Sequence, residues 1–267
     1  MYRPCKMNVD KNSKKVVFEL TTYCNLDCRH CIYSISNKPY SSNFLSRKEA
    51  YSLIDKISKK KIYKLVLTGG EPTLHPDFID ISKYAISKIP KVSLCTNGVI
   101  LNKSLENKVV NLNFSTYTIS IDSHIDKIHD KIRGKKGALQ KTLGFIKKLK
   151  SKNKNISIHI ALHPENVDAM KDTIKFCKGL APEVVISSIY HYDKIYTNLN
   201  TIKDYKLMSK KFYEKYKNNP EVTLVGFKTF CTNKNCLDQK NIFMVNSKGE
   251  LVTCYWKKNG GKVVKKY

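Results

Sequence analysis

The chain has 267 residues, enough for one large α/β domain or a domain with a small appendage, and its lack of a long apolar run or an apolar N-terminal region excludes a helical membrane span and a secretory signal and points to the cytoplasm. Its net charge of +27 is almost wholly lysine scattered over the predicted helices, with Arg3, Arg29, Arg47 and Arg133 the only arginines; nucleic-acid recognition favours clustered arginine, so a nucleic-acid partner is disfavoured, and the positive field suits an anionic substrate. Nine cysteines in a reducing compartment argue for metal ligands and free thiols, because disulfides do not persist there.

In chain order, Val16 to Leu20 is the first apolar strand and leads into Tyr-Cys-Asn-Leu-Asp-Cys-Arg-His-Cys-Ile at residues 23 to 32. Ser46-Arg-Lys-Glu49 reads as a capping box for a helix with Ala50, Leu53, Ile54 and Ile57 on one face. Lys64 to Thr68 is a second strand running into Gly69-Gly70-Glu71-Pro72, and Pro76 opens a helix through Ile79, Tyr84, Ala85 and Ile89. Val92 to Thr96 is a strand ending in Asn97-Gly98, Leu101 to Val110 a short helix, and Tyr117 to Asp122 a strand. Gly137 to Lys150 is a helix with Leu139, Leu143, Ile146 and Leu149 in line, followed by a strand Ile156 to Leu162, a helix Val167 to Lys178 closed by Gly179, and a strand Val184 to Ile189.

Strands alternating with helices mean a parallel sheet with crossover connections, an α/β fold that curls into a partial (β/α)6 barrel. In such folds chemistry gathers at the C-terminal ends of the strands, where the cysteine loop, Gly69 to Pro72, Asn97-Gly98 and Asp122-Ser123 all fall. After residue 190 the pattern changes to a polar amphipathic helix, Thr201 to Lys217, and then a β-hairpin of Asn241 to Val245 and Leu251 to Tyr255, with Cys231, Cys236 and Cys254 about its ends. The expected organisation is an N-terminal segment 1–15, a core 16–195, a linker helix 196–225 and a small cysteine-bearing hairpin domain 226–267.

Cys24, Cys28 and Cys31 form a C-x3-C-x2-C run on a loop, where successive sulfurs can converge on one metal centre. A structural zinc would need a fourth ligand, and iron-sulfur clusters are also held by closely spaced thiolates, usually four, so a trio leaves one iron open to a small-molecule ligand. Cys95 in mid-strand and Cys177 on a helix read as buried small hydrophobes, and Cys5 is isolated. His159, His163 and His191 lie near the late strands, and Asp122, Tyr190 and Tyr192 stand at strand ends as candidate catalytic residues.

Together, the C-x3-C-x2-C loop after the first strand and Gly-Gly-Glu-Pro after the second resemble the radical S-adenosylmethionine (SAM) superfamily over roughly Val16 to Ile189. The resemblance implies a [4Fe-4S] cluster on Cys24, Cys28 and Cys31, with SAM on the open iron, and Gly69, Gly70, Glu71 and Pro72 holding the methionine ammonium, the glycines permitting close backbone approach. It also implies that Ser120 and Arg133 meet the SAM carboxylate or ribose, that Asn97 contacts SAM or shapes its pocket, and that His30, at a position often aromatic in the family, packs on the adenine. Ser123 stands where relatives often have glycine, and no glycine-rich adenine pattern is evident in Ile156 to Asn166.

The C-terminal Cys236-x12-Gly249-x4-Cys254 resembles a twitch or partial SPASM extension, implying a second [4Fe-4S] cluster on Cys231, Cys236 and Cys254, with a fourth ligand from substrate, Cys177, Cys5 or nothing. The expected reaction is reductive cleavage of SAM to a 5′-deoxyadenosyl radical that abstracts hydrogen from a small, anionic or sugar- or nucleoside-like metabolite, leading to oxidation, decarboxylation or rearrangement by an oxidoreductase or lyase. A flavodoxin or ferredoxin would donate the electron. With only about fifteen residues before the first strand, no leader-gripping domain is expected, although a SPASM-type ribosomal-peptide maturase remains an alternative. A zinc-stabilised nucleic-acid-binding protein is the alternative of another class; it accounts for the cysteines and lysines and not for Gly-Gly-Glu-Pro.

Overall fold

The computed structural model describes residues 14–31, 33, 44–60, 62–189, 199–227, 242–252 and 263–266. Strands and helices alternate as β1 (Lys14–Glu19), α1 (Arg47–Ser58), β2 (Ile62–Thr68), α2 (Phe78–Lys88), β3 (Lys91–Thr96), α3 (Lys103–Val110), β4 (Thr116–Ser120), α4 (Asp126–Arg133), α5 (Ala138–Ser151), β5 (Ile156–Leu162), α6 (Met170–Leu180), β6 (Glu183–Ser188), α7 (Leu199–Tyr216) and β7 (Thr223–Val225). Three more strands follow, β8 (Ile242–Val245), β9 (Glu250–Val252) and β10 (Val263–Lys266).

The ten strands among the described residues form one sheet in the order β10-β9-β8-β1-β2-β3-β4-β5-β6-β7. β1 to β7 are mutually parallel. The barrel is not closed, because β1 pairs on its free side with β8 and not with the far end of the sheet. β8 runs parallel to β1, and β9 turns back antiparallel on it, so the hairpin expected from the sequence extends the main sheet.

The predicted elements form for the expected reasons. Ser46 caps α1 in a complete capping box with Glu49, a device worth about 1 kcal/mol, and Ala50, Leu53, Ile54 and Ile57 are its buried face. Asn102 caps α3 by accepting from Leu105 N. Three details differ from the sequence reading. Gly179 lies inside α6, which continues to Leu180 and ends where Ala181 turns extended. Helix α4 is an unforeseen element whose charged outer face conceals His129, Ile132 and Arg133 on its buried face. β7 is a seventh parallel strand, brought to the sheet by α7, whose buried Tyr205 accepts from Ile189 N (2.7 Å) and donates to Leu162 O (3.2 Å).

The two faces of the sheet differ sharply. Phe18, Leu65, Leu94, Ile119, Ile158 and Ile186 alternate onto the helix-covered face and are fully buried; each such side chain contributes roughly 1.5–3 kcal/mol by leaving water. The opposite face carries Lys15, Lys64, Cys95, Thr118, Ser120 and His159, all half-buried. This is the interior face of the open barrel, mixed in character because Val17, Val66, Ala161 and Val185 share it. An apolar cavity of about 260 Å³ lies on the helix side between α1 and the hairpin, lined by Val16, Leu53, Ile57, Phe243, Val245 and Leu251, away from the cysteine loop.

Candidate cofactor site

The site is built where β1, β2, β3 and β4 end. Beyond β1 and β2 the backbones remain paired: Gly70 N donates to Thr21 O (2.7 Å) and Glu71 N to Tyr23 O (2.8 Å). A Cβ at Gly69 would stand 2.3 Å from Thr21 O and one at Gly70 2.4 Å from Tyr23 O. The glycines are therefore required by the backbone entering the cysteine loop, a reason different from the ligand approach anticipated above. The pairing fixes the cysteine loop against Gly69 to Pro72 before any ligand is considered.

Cys28 is buried and Cys24 and Cys31 are half-buried, packed with Leu26, Val99 and Ala138. Hydrogen-bond donors are aimed at two of the sulfurs. Leu26 N (3.4 Å) and Asn97 Nδ2 (3.7 Å) point at Cys24 Sγ, and Arg133 Nη1 (3.7 Å) points at Cys28 Sγ. Burial pushes the Cys24 thiol up to about 12, against the Leu26 N–H that favours the thiolate. Burial likewise lifts Cys28 to about 11 in spite of Arg133. Thiolates in this apolar nest therefore need a positive centre bound to them, and the donors aimed at sulfur suit ligands that carry negative charge. Among the described residues no three His, Cys, Asp or Glu side chains converge on a single ion. In a cubane each thiolate binds a different iron, so the donor set fits such a cluster.

Glu71 is wholly buried, just before a helical turn that Pro72 opens. Its Oε1 accepts from Thr73 N (3.1 Å), Thr73 Oγ1 (2.7 Å) and Thr96 Oγ1 (2.9 Å), and its Oε2 from Asn97 N (2.8 Å). Burial raises its pKa against those four donors. Asn97 joins three segments: Nδ2 donates to Asn25 Oδ1 (2.9 Å), Oδ1 accepts from Val99 N (2.7 Å), and its carbonyl accepts from Thr142 Oγ1 (2.9 Å). The Asn97-Gly98 turn is thus a hub of the site.

At the end of β4 the chemistry is ionic. Arg133 Nε lies 2.8 Å from Asp122 Oδ2 with both side chains almost fully buried, although the N–H is not aimed along the contact and gives no linear hydrogen bond. Asp122 is fixed by its other atoms: Oδ1 accepts from Ala161 N (3.0 Å), the backbone N donates to His129 Nδ1 (3.1 Å), and the carbonyl accepts from Asn166 Nδ2 (2.8 Å). Burial alone would raise the Asp122 carboxyl, but Arg133, with His30 and His129, holds it at about 2. Burial depresses His30, His129 and His159 to about 4, so they are neutral near pH 7. His30 stands 6.5 Å from His163 between ring centroids, and its buried Nδ1 has no hydrogen-bond partner among the described residues.

Of the residues singled out from the sequence, the structure brings Cys24, Cys28, Cys31, Glu71, Asn97, Asp122, Arg133 and His30 into one contiguous network. Ser120 is half-buried on the concave face in register with His159. Tyr190, Tyr192, His191, Cys5, Cys231, Cys236 and Cys254 lie outside the described residues. Sequence reasoning missed Thr73 and Thr96, the donors to Glu71, and Glu165, which ties the cysteine loop to α4 through Arg29 (2.5 Å) and Lys131 (3.2 Å). It also missed Glu19, whose buried carboxylate accepts from Tyr33 Oη and from Ser247 N (3.1 Å). A glutamate closing an otherwise apolar strand was the signal available for it.

A parallel α/β sheet with a thiol-lined nest at its C-terminal edge, beside a buried carboxylate, offers a donor set suited to a metal cofactor at its strand ends. The chain belongs to the radical SAM superfamily, whose family model matches residues 18–177. It is similar to the AdoMet-dependent heme synthase of Methanosarcina barkeri, 30% identical over 165 residues that cover 62% of this chain and 47% of that one. It is also 30% identical to the sporulation killing factor maturation protein SkfB of Bacillus subtilis over 159 residues, 60% of this chain and 38% of that one. The chain thus spans about half the length, or less, of these curated relatives. The fold resembles that of Streptococcus suis SuiB bound to S-adenosylmethionine, with a TM-score of 0.69 and 15% identity over 91% of this chain and 60% of that one.

Proposed function

We propose that this radical SAM enzyme cleaves S-adenosylmethionine reductively and abstracts hydrogen from a small, anionic or sugar- or nucleoside-like metabolite bound inside the open barrel. The observation that carries the reading is the joining of Cys24 and Glu71 through Asn97, which bonds to both. When bound, a [4Fe-4S] cluster and SAM supply the electron and the 5′-deoxyadenosyl radical. Cys24, Cys28 and Cys31 hold the cluster, and the N–H groups of Leu26, Asn97 and Arg133 stabilise charge on the sulfurs. Glu71, a carboxylate with no ion pair among the described residues, attracts the SAM ammonium beside Gly69, Gly70 and Pro72. Ser120 and Arg133 border the SAM carboxylate or ribose, and His30, kept neutral by burial, offers a flat face to the adenine. Asp122 serves by positioning Arg133, and Tyr190 and Tyr192 remain the candidate groups for substrate.

Residues 226–267 are proposed as a twitch or partial SPASM domain holding a second [4Fe-4S] cluster through Cys231, Cys236 and Cys254, after the core 16–195 and the segment 196–225. The pairing of β8 with β9 supports this reading, because it is the hairpin about whose ends the three cysteines stand in the sequence. The reaction is assigned to the oxidoreductases or lyases, in the cytoplasm, with a flavodoxin or ferredoxin as electron donor. A second reading, maturation of a ribosomal peptide, is favoured by the likeness to SkfB.

Anaerobic reconstitution tests the proposal. The expected protein is brown, with about eight irons if both clusters are cubanes (~4 Fe each), and releases 5′-deoxyadenosine with dithionite and SAM. Alanine at Cys24, Cys28 or Cys31 abolishes release, and alanine at Cys231, Cys236 and Cys254 removes about half the iron. Bound zinc without iron, or iron without SAM cleavage, overturns the enzyme reading.

A further inference from the structure

We infer that Asn25 and Asn97 are positioning residues that hold one amide N–H on the Cys24 sulfur and thereby make a cluster bound there easier to reduce. The inference rests on the proposed function and deepens it, adding what sets the electron affinity of the site.

Three hydrogen bonds close a ring beside the cysteine loop. Val99 N donates to Asn97 Oδ1 (2.7 Å), Asn97 Nδ2 to Asn25 Oδ1 (2.9 Å), and Asn25 Nδ2 to Val99 O (2.7 Å). A main-chain N–H can only donate and a main-chain carbonyl can only accept, so Val99 fixes which end of each amide is the oxygen. Neither amide can turn over without losing its bonds. Gly98, at φ 77°, folds the chain back so that Val99 N meets the Asn97 side chain, and a Cβ at Gly98 would stand 2.9 Å from Thr142 Cγ2.

With its orientation set, Asn97 Nδ2 gives one hydrogen to Asn25 and aims the other at Cys24 Sγ, 3.7 Å away. The ring is sheltered. Asn97 and Val99 are buried, Asn25 is half-buried, and Val99 packs with Leu26, Cys28 and Ala138, an apolar setting that strengthens each hydrogen bond. Leu26 N (3.4 Å) also reaches Cys24 Sγ, so two donors converge on this sulfur. Glu71 opposes them: its carboxylate, which accepts from Asn97 N (2.8 Å), acts electrostatically on Cys24 against negative charge there. A reduced cluster carries one electron more than an oxidised one, and N–H groups on its sulfurs stabilise that added charge. The Asn97 amide therefore offsets the field of Glu71 at the sulfur nearest to it.

The test is the midpoint potential of the reconstituted cluster without SAM, from a redox titration followed by EPR of the reduced form, with iron content measured in each protein. Asn97→Leu is expected to lower the ratio of reduced to oxidised cluster at a fixed applied potential about tenfold, 59 mV for a one-electron couple. Asn25→Leu, which leaves Asn97 in place, lowers it several-fold. The double variant falls no further than Asn97→Leu, because both changes act through one N–H. Asn113→Leu, exposed ahead of β4 at the opposite end of the sheet, leaves the potential where it was. A parent-like potential in iron-loaded Asn25→Leu and Asn97→Leu, or additive shifts in the double variant, overturns the assignment. Where Asn97→Leu holds no cluster, Asn25→Leu decides alone, and a parent-like potential in it overturns the assignment. Failure of the proposed function looks different: the parent protein itself then holds no iron or releases no 5′-deoxyadenosine.

Discussion

Glu71 and Asp122 are both fully buried at strand ends of one sheet, and opposite means hold them. Glu71 is surrounded by neutral donors and its pKa is raised; Asp122 faces a guanidinium in the chain and its pKa falls to about 2. The β2 and β3 end is therefore a hydrogen-bonded cup with negative charge still uncompensated, whereas the β4 and β5 end has its countercharge built in. A cationic ligand group gains most at the first. The second is already committed to holding α4 and the cysteine loop in place.

Breaking the ionic side has the largest expected effect. Arg133→Met leaves Asp122 buried without its cation and costs about 3–5 kcal/mol in chemical denaturation of the apo-protein, and Asp122→Asn in the same chain recovers a substantial part. On the neutral side, Glu71→Gln places an amide NH2 among four donors and costs about 1–3 kcal/mol. The same change weakens SAM binding at least tenfold, about 1.4 kcal/mol, in anaerobic equilibrium dialysis. A Glu71→Gln protein that bound SAM as tightly as the parent chain would erase the distinction between the two ends.

Acid separates the two sides by sign. His129 and His159 titrate near 4 in the fold and near 6.5 when unfolded. The unfolded chain binds more protons in that interval, so each histidine removes on the order of 1–2 kcal/mol of stability between pH 7 and pH 5, and His159→Gln flattens that slope in thermal melts. Glu71 acts oppositely: its folded pKa lies above its ordinary 4.5, so acidification through that window favours the fold. Thr96→Val carries the smallest effect, about 1 kcal/mol, through the lost hydrogen bond to Glu71.

The fold was legible wherever apolar periodicity met a cap or turn, as at α1 with its capping box and at β5, whose bounds agree with the reading. It was illegible where local signals were weak. Helix α4 hides three buried residues behind a charged face, and β7 is a three-residue strand recognisable only from its pairing with β6. Within the site, the three cysteines and Gly69 to Pro72 are contiguous in sequence and could be read directly. Thr96, Glu165 and Glu19 acquire their roles from residues far along the chain, and single-residue chemistry gives no sign of such partners.

The sequence by itself determined the alternation of strands and helices, the loop with three thiols and the edge at which chemistry gathers, because these depend on local spacing and on the handedness of parallel crossovers. Tertiary structure decided why Gly69 and Gly70 are glycines, which buried carboxylate has no ion pair among the described residues, and that Lys15 and Lys64 are register partners on one face of the sheet. These depend on the register between strands, which sets distances and burial and is fixed only when the sheet assembles.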